Sequence, residues 1–430
     1  MIHVTEHKQT THNLKSESFL SAKKLYLPLS QHIGKPSEVI VSKGDSVEES
    51  QLLAKSCSFI SSNLSAPASG KILAIDDYFH PIYKRSPAIT LEVDSSAKPK
   101  KYPALSEISA LSKEDILEKV KQAGIVGLGG AAFPTPVKLV PPREIEVLII
   151  NGCECEPYLA CDYRLMVEKL DEIFKGIEIV SRLLSPKRVI FAVEENKPEA
   201  IKRINLYISL KKTELKNISI AVLKSAYPQG GEKQLIYSVT KRKVPPTKLP
   251  LDVGCVVHNV GTCYAIYEAV YCSKPLIERL VTFCGDALVR PRNLWVKIGT
   301  TLSELRENKL IEFKSDPVKI ICGGPMMGVA LDSLDYPIIK ATGGFLFLTE
   351  NTHPEPETAC LRCGRCVDVC PMNLLPLEYV RKVKSNQFDL LDQSNIVDCM
   401  ECGSCSYVCP ARIPIVHYLR VGKRYKIDKG

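Results

Sequence analysis

The run CLRCGRCVDVCP at residues 360–371 returns 39 residues later as CMECGSCSYVCP at 399–410. Both read C-x2-C-x2-C-x3-C-P. Three thiolates on a tight loop meet three irons of a cubane, and the fourth follows on the next helix. In a two-cluster arrangement the fourth cysteine of each run serves the other cluster. Cys360, Cys363, Cys366 and Cys409 are therefore expected to hold one [4Fe–4S] cluster, and Cys399, Cys402, Cys405 and Cys370 the second. Zinc sites use two pairs set far apart, not triplets with a proline-tagged fourth. Two clusters placed close together relay single electrons.

The nine other cysteines among the 17 are scattered (Cys57, Cys153, Cys155, Cys161, Cys255, Cys263, Cys272, Cys284 and Cys322) and read as small buried apolar residues. A chain of 430 residues, 45% hydrophobic and 24% charged, is expected to form about three soluble domains. No stretch approaches a membrane span, and MIHVTEHKQTTHNLKSE lacks the apolar core of a signal peptide. A cytoplasmic protein with reduced thiols or metal ligands is the expectation. The net charge is +9, and residues 181–250 hold 15 Lys and Arg against 5 acids. That segment reads first as a solvated face, and second as an attractant for an anionic ligand, an acidic protein or an anionic membrane surface. No nucleic-acid partner is expected.

The order of elements predicts an α/β multidomain chain. From Tyr26 to about Val93 short strands alternate with turns, and GDSVEESQLLA followed by APASGKILAI resembles the lipoyl/biotinyl barrel-sandwich pattern. The carrier lysine of that family would lie in the hairpin, where this chain has SCSFISSN, so a structural β-module is expected. SKEDILEKVKQAG reads as a helix capped by Ser112, with Asp115 at capping-box distance and Gly124 as its stop. EVLIIN, RVIFAVEEN and ISIAVLK then read as buried strands, and RLMVEKLDEIFKGIEIVSRLL and VGTCYAIYEAVYC as helices. This rhythm predicts a parallel sheet over 112–272. A small α+β insert follows, then NTHPEPETA as a linker into the cysteine-rich end.

Four stretches carry a second chemistry. GIVGLGGAAFPTPVKL at 124–139 brings bare backbone N–H groups, and Lys138 a charge, to where a phosphate can sit. NGCECEP at 151–157 follows a strand directly; YPQGGEKQL lies at 227–235 and HNVGT at 258–262. Each taken singly reads as a turn; strand-end acids and amides beside a glycine loop suit a flavin or nucleotide.

Together these stretches resemble the NADH- and flavin-binding subunit of respiratory complex I. The whole chain from about Leu25 to Arg420 resembles more closely the RnfC family, the C subunits of Rnf ion-translocating electron transport complexes. That family shares the barrel-sandwich module, GLGGAAFPT, NG-x-ECEPY, YPQGGEKQL, GGPMMG and both ferredoxin runs in this order. The resemblance implies an N-terminal tail (1–24), a barrel-sandwich module (25–98), a Rossmann-like FMN/NADH domain (112–272), a β-grasp-like (SLBB) region with returning strands (273–350) and a two-cluster ferredoxin domain (356–418). It implies that FMN meets Gly127, Gly129, Gly130, Lys138, Asn151 and Asn259, and that Glu154, Glu156, Gly231 and Glu232 lie on the flavin or nicotinamide side. Against the complex I pattern, Cys153 replaces an acid, His258 an asparagine and Lys233 an acid. The N-terminus also lacks the glycine- and proline-rich start common in the RnfC family.

The implied role is that of a peripheral subunit on the cytoplasmic face of the bacterial inner membrane. It would pass electrons between NAD(H), FMN and two [4Fe–4S] clusters, with the membrane subunits and the iron–sulfur RnfB protein of the complex as partners. Hydride transfer needs no acid–base residue, so no catalytic side chain is expected. Two alternatives stay open: a soluble cobalamin reductase-like enzyme, and an electron relay or scaffold without an NADH site. The NqrA component of the sodium-pumping NADH:quinone reductase shares the N-terminal fold but lacks ferredoxin runs.

Overall fold

The computed structural model describes residues 1–211, 213, 217–349, 356–391 and 395–429. The linker expected at 351–359 falls largely outside them. Leu25, Leu27, Leu53, Leu64, Ile72, Ile89 and Leu91 face inward from two small antiparallel sheets and share one core. The first sheet runs in the order Lys24–Pro28, Lys84–Val93, Gly70–His80, Ser46–Val47; the second runs Glu38–Val39, Leu52–Lys55, Leu64–Ser65. Alternation of apolar and polar residues along Lys24–Pro28 buries one face of the first sheet.

The helix Lys113–Gln122 begins as its sequence dictates. Ser112 accepts from the Asp115 N–H while the Asp115 carboxylate accepts from the Ser112 N–H. Gly124, at φ +65°, ends it. The uniformly apolar strands that follow form a four-stranded parallel sheet in the order Ile218–Leu223, Arg188–Glu194, Val147–Asn151, Cys255–Asn259. Helices cross between them, as parallel pairing requires. The long helix expected over 164–184 is two, Cys161–Glu168 and Leu170–Leu184, separated at Lys169, where φ is −131°. Gly176 lets the second of these approach Val260–Tyr271 closely: a β-carbon there would lie 1.9 Å from the Cys263 carbonyl oxygen.

A six-stranded mixed sheet follows, in the order Ser16–Phe19, Arg292–Lys297, Glu278–Cys284, Gly344–Leu348, Lys319–Cys322, Val329–Leu331. Its first strand comes from the segment read as a tail, and that reading is corrected. Ile2 pairs with Tyr227, Ser16–Phe19 runs parallel to Asn293–Val296, and Lys8 and Thr11 are buried. No apolar periodicity marks this segment, because polar side chains and main-chain hydrogen bonds hold most of it. The cysteine-rich end has its own small core around Leu374, Tyr379, Ile396 and Leu419. No helix among the described residues is long and apolar enough to cross a membrane.

Candidate flavin and cluster sites

The glycine loop closes on itself: the Gly127 N–H donates to the Phe133 carbonyl at 2.8 Å, and the Ala132 N–H to the Gly127 carbonyl at 3.1 Å. The Leu128 N–H ties it to Thr262 Oγ1 at 2.9 Å, at the start of the helix Val260–Tyr271. The tip, Gly129 and Gly130, stays exposed. Gly130 is at φ +103°, and a β-carbon on it would meet nothing within 4 Å among the described residues; one on Gly129 would come nearest to Asn259, at 3.4 Å. The bare backbone thus faces open space that side chains would fill, as a cradle for a phosphate requires.

Two asparagines stand beside this tip, paired across adjacent parallel strands as Asn151 and Asn259. Asn259 caps its helix through Gly261 N–H at 2.8 Å and donates to Asp162 Oδ2 at 2.6 Å. Asn151 donates to the Gly230 carbonyl at 2.9 Å and accepts from the Cys153 N–H at 3.1 Å. Lys138 Nζ bonds Glu232 Oε1 at 2.7 Å, near the first turn of the helix Glu232–Thr240. Gly127, Gly129, Gly130, Lys138, Asn151, Gly231, Glu232 and Asn259 therefore gather at the carboxyl ends of two parallel strands. That is where open α/β sheets bind ligands. His258 is buried beside them, its Nε2 without a partner among the described residues, and burial, with Lys138 nearby, lowers its pKa to about 3, keeping it neutral.

The two acids of NGCECEP are engaged by the protein's own groups. Glu154, at φ +47°, turns its carboxylate onto the first turn of Cys161–Glu168, accepting from Asp162 N–H at 2.7 Å and Tyr163 N–H at 3.2 Å. The buried Lys8 ammonium donates to the Glu154 and Leu159 carbonyls and lies 3.8 Å from the Glu154 carboxylate. Glu156 accepts from Met326 N–H at 3.3 Å and Met327 N–H at 2.8 Å, and its carboxylate lies 3.2 Å from the Tyr227 hydroxyl oxygen. Burial raises its pKa to about 7. Asp162 is also raised to about 7, by burial and then by Glu154. Lys8, Asp162, Tyr227 and the Met326–Met327 turn were not expected at the site. GGPMMG and YPQGG gave a motif for the turn and for Tyr227; Lys8 and Asp162 gave no signal.

In the cysteine-rich end, Cys370, Cys399, Cys402 and Cys405 line one apolar cavity with Met372 and Tyr379. Burial raises the Cys366 thiol, and Cys409 is among the groups near enough to act on it. Backbone N–H groups point at sulfur in both loops: Arg362 to Cys360 Sγ at 3.3 Å and Glu401 to Cys399 Sγ at 3.4 Å. Thiols at this spacing, amide donors to sulfur and an apolar cavity fit cubane clusters.

One cysteine loop is joined to the parallel-sheet domain. The Tyr227 hydroxyl donates to the Cys402 carbonyl at 2.7 Å. Gln234 also reaches the end of the first cysteine run, donating to the Pro371 carbonyl beside Cys370 at 3.2 Å. A β-carbon on Gly231 would lie 2.5 Å from the Met400 methyl carbon, and one on Gly403 would lie 2.5 Å from the Met326 carbonyl oxygen. Cys360 and Cys363, in the other loop, are exposed.

Three family models match the chain: an RnfC barrel sandwich hybrid domain over residues 2–96, a Nuo51 FMN-binding domain over 120–268 and a 4Fe-4S dicluster domain over 359–413. The C subunit of the proton-translocating ferredoxin:NAD(+) oxidoreductase complex of Clostridium ljungdahlii is 43% identical over 379 residues, 87% of this chain and 82% of that protein. The C subunit of the ion-translocating oxidoreductase complex of Rhodobacter capsulatus is 39% identical over 393 residues, 90% and 75% respectively. Among solved structures, a chain of NAD+-reducing [NiFe]-hydrogenase in the H2-reduced state superposes with a TM-score of 0.51 at 17% identity. The match covers 76% of this chain and 63% of that one, and it speaks to the fold alone.

Proposed function

The chain belongs to the RnfC family of ion-translocating oxidoreductase complexes, and from that premise we propose that it passes electrons between NAD(H), FMN and two [4Fe–4S] clusters at the cytoplasmic face of a membrane complex. Its partners are the membrane subunits and the iron–sulfur RnfB protein, and the complex is a ferredoxin:NAD+ oxidoreductase coupled to ion translocation. When bound, FMN accepts two electrons from NADH as a hydride and releases them singly, as [4Fe–4S] clusters require.

The residues divide the work. Gly127, Gly129 and Gly130 offer main-chain N–H groups to the flavin phosphate, and Lys138 offers positive charge. Asn151 and Asn259 border the ring, and Gly231 and Glu232 the nicotinamide side. Glu154 and Glu156 shape the strand end that carries them. Cys360, Cys363, Cys366 and Cys409 hold an outer cluster; Cys399, Cys402, Cys405 and Cys370 hold an inner one. The region 273–350, with the short helix Leu302–Glu307 on a mixed sheet, is read as β-grasp-like.

The observation that carries this reading is the bond from Tyr227 to the Cys402 carbonyl. It fixes the YPQGG turn of the flavin site against one cluster loop, so the inner cluster is the flavin's neighbour. Anaerobic titration of the reconstituted protein tests it. NADH is expected to bleach the flavin spectrum and raise a reduced-cluster EPR signal.

One observation favours a second reading, the relay without an NADH site: Glu156 is covered by Met326 and Met327. Flavin-loaded protein reducible by dithionite but not by NADH would establish that reading instead.

A further inference from the structure

The two cysteine loops have nearly the same backbone. Arg362 and Glu401 occupy one position, at φ +54° and +57°; Gly364 and Gly403 occupy another, at +78° and +81°. Their surroundings differ at every noncysteine position that faces out. On the inner loop, Met400 sits against Gly231, Glu401 is paired with Arg420 and Lys423, and Ser404 is fully buried. On the outer loop the equivalent residues are Leu361, which is 67% exposed, and the exposed Arg362 and Arg365. Neither arginine side chain has an ion pair or hydrogen-bond partner among the described residues. A β-carbon on Gly403 would strike Met326, whereas one on Gly364 would meet nothing within 4 Å.

The inner loop shows what this surface does when it is occupied: its second residue, Met400, seats against Gly231, and its glycine lies against the Met326 backbone. We propose that the outer loop docks a second redox protein in the same way, and that this partner presents an acidic rim around an apolar seat. Leu361 would enter the seat, as Met400 does at Gly231, and Arg362 and Arg365 would meet carboxylates. An exposed leucine beside two unpaired guanidinium groups has the composition of an interface core and its charged border. Asp368, the exposed acid in the same turn, leaves the loop net positive. The docked pair exchanges one electron between the outer cluster and the partner's redox centre, with no bond made or broken. The inference rests on the proposed function, because it needs a cluster at Cys360, Cys363 and Cys366.

The test uses the full chain with both clusters loaded, added to inverted membrane vesicles that contain the other subunits but lack this chain. The double charge reversal Arg362→Glu and Arg365→Glu is expected to weaken vesicle binding at least tenfold and to flatten its salt dependence. Lysine at both positions is expected to retain most of the binding, and Leu361→Ser to weaken it several-fold without changing the salt dependence. Iron content of the isolated variants is expected to match the parent chain, because Arg362 meets the Cys360 sulfur through its main-chain N–H, which every one of these substitutions keeps. If the parent is not reduced by NADH, the functional reading fails and not the docking face. Undiminished binding of the charge-reversed chain, with iron intact, overturns the proposal. Equal, arginine-dependent binding to protein-free phosphatidylglycerol vesicles overturns it too, and assigns the face to a lipid surface.

Discussion

The glycine loop and the acid loop lie side by side at the same strand ends, yet they are built in opposite ways. At the tip of GLGGAAF, a β-carbon on Gly130 would meet nothing within 4 Å, and one on Gly129 would come no closer than 3.4 Å, to the Asn259 side chain. In NGCECEP the carboxylates of Glu154 and Glu156 are each met by two or more donors from elsewhere in the chain. A polar group left open at a surface cleft is available to a ligand, whereas one already paired is architecture, and displacing its partners costs what burial of unpaired groups costs. We therefore propose that the flavin's phosphate meets the first loop, while the second serves as the frame that keeps Asn151, Tyr227 and the inner cluster loop in register.

The largest expected effect falls on the open loop. Gly129→Val adds a side chain whose nearest neighbour, Asn259, lies at ordinary contact distance, so the fold should tolerate it while the cradle fills. Flavin affinity is expected to fall by about two orders of magnitude, roughly 3 kcal/mol, with both clusters retained by iron analysis. Retention of flavin at parental affinity would break the comparison. Lys8→Met acts on the frame instead. It leaves the Glu154 carboxylate without its cation and two carbonyls without a donor, a loss of about 3 kcal/mol by analogy with broken buried pairs. A drop in apparent melting temperature in flavin-free protein would register it. Glu156→Ala is expected to cost somewhat less, about 2 kcal/mol, because it strands the Met326 and Met327 main-chain N–H groups.

What was legible in the sequence follows the same division. The cysteine spacing and the parallel strands are local, periodic patterns, and so is the capped helix at Ser112; each could be read because neighbours in sequence carry the physics. Convergence of Gly129, Asn151 and Glu232 was legible only through resemblance, since nothing in three separated turns forces them together. The N-terminal segment was misread because its anchors are one buried lysine and a row of main-chain bonds to residues about 150 or more positions away. Composition assigns such a segment to solvent. The fates of Glu154 and Glu156 were hidden for a related reason: their partners, Lys8 and Met327, are far off in sequence and belong to no periodic pattern.

The smallest expected effect concerns pH, and it separates the two loops by chemistry alone. The glycine loop carries no titratable side chain, so its contribution to stability should not change near neutrality. Glu156 is different, because burial lifts its pKa from 4.5 to about 7. Between those two values the folded chain holds a proton that the unfolded chain has lost. By linkage, the stabilisation is complete below pH 4.5 and is lost as pH rises through about 7. Asp162 shifts in the same direction, raised first by burial and then by the neighbouring Glu154 carboxylate. Glu156→Gln keeps an acceptor for Met327 and cannot ionise, so the fall in stability between pH 5 and 7 should shrink by about 1 kcal/mol after allowance for relaxation and water access. Denaturant midpoints at four pH values in that window would measure it. An unchanged slope would mean that Glu156 stays ionised in the fold, held by the Met326 and Met327 N–H groups, and that the frame is electrostatically closer to an anion site than its burial implies.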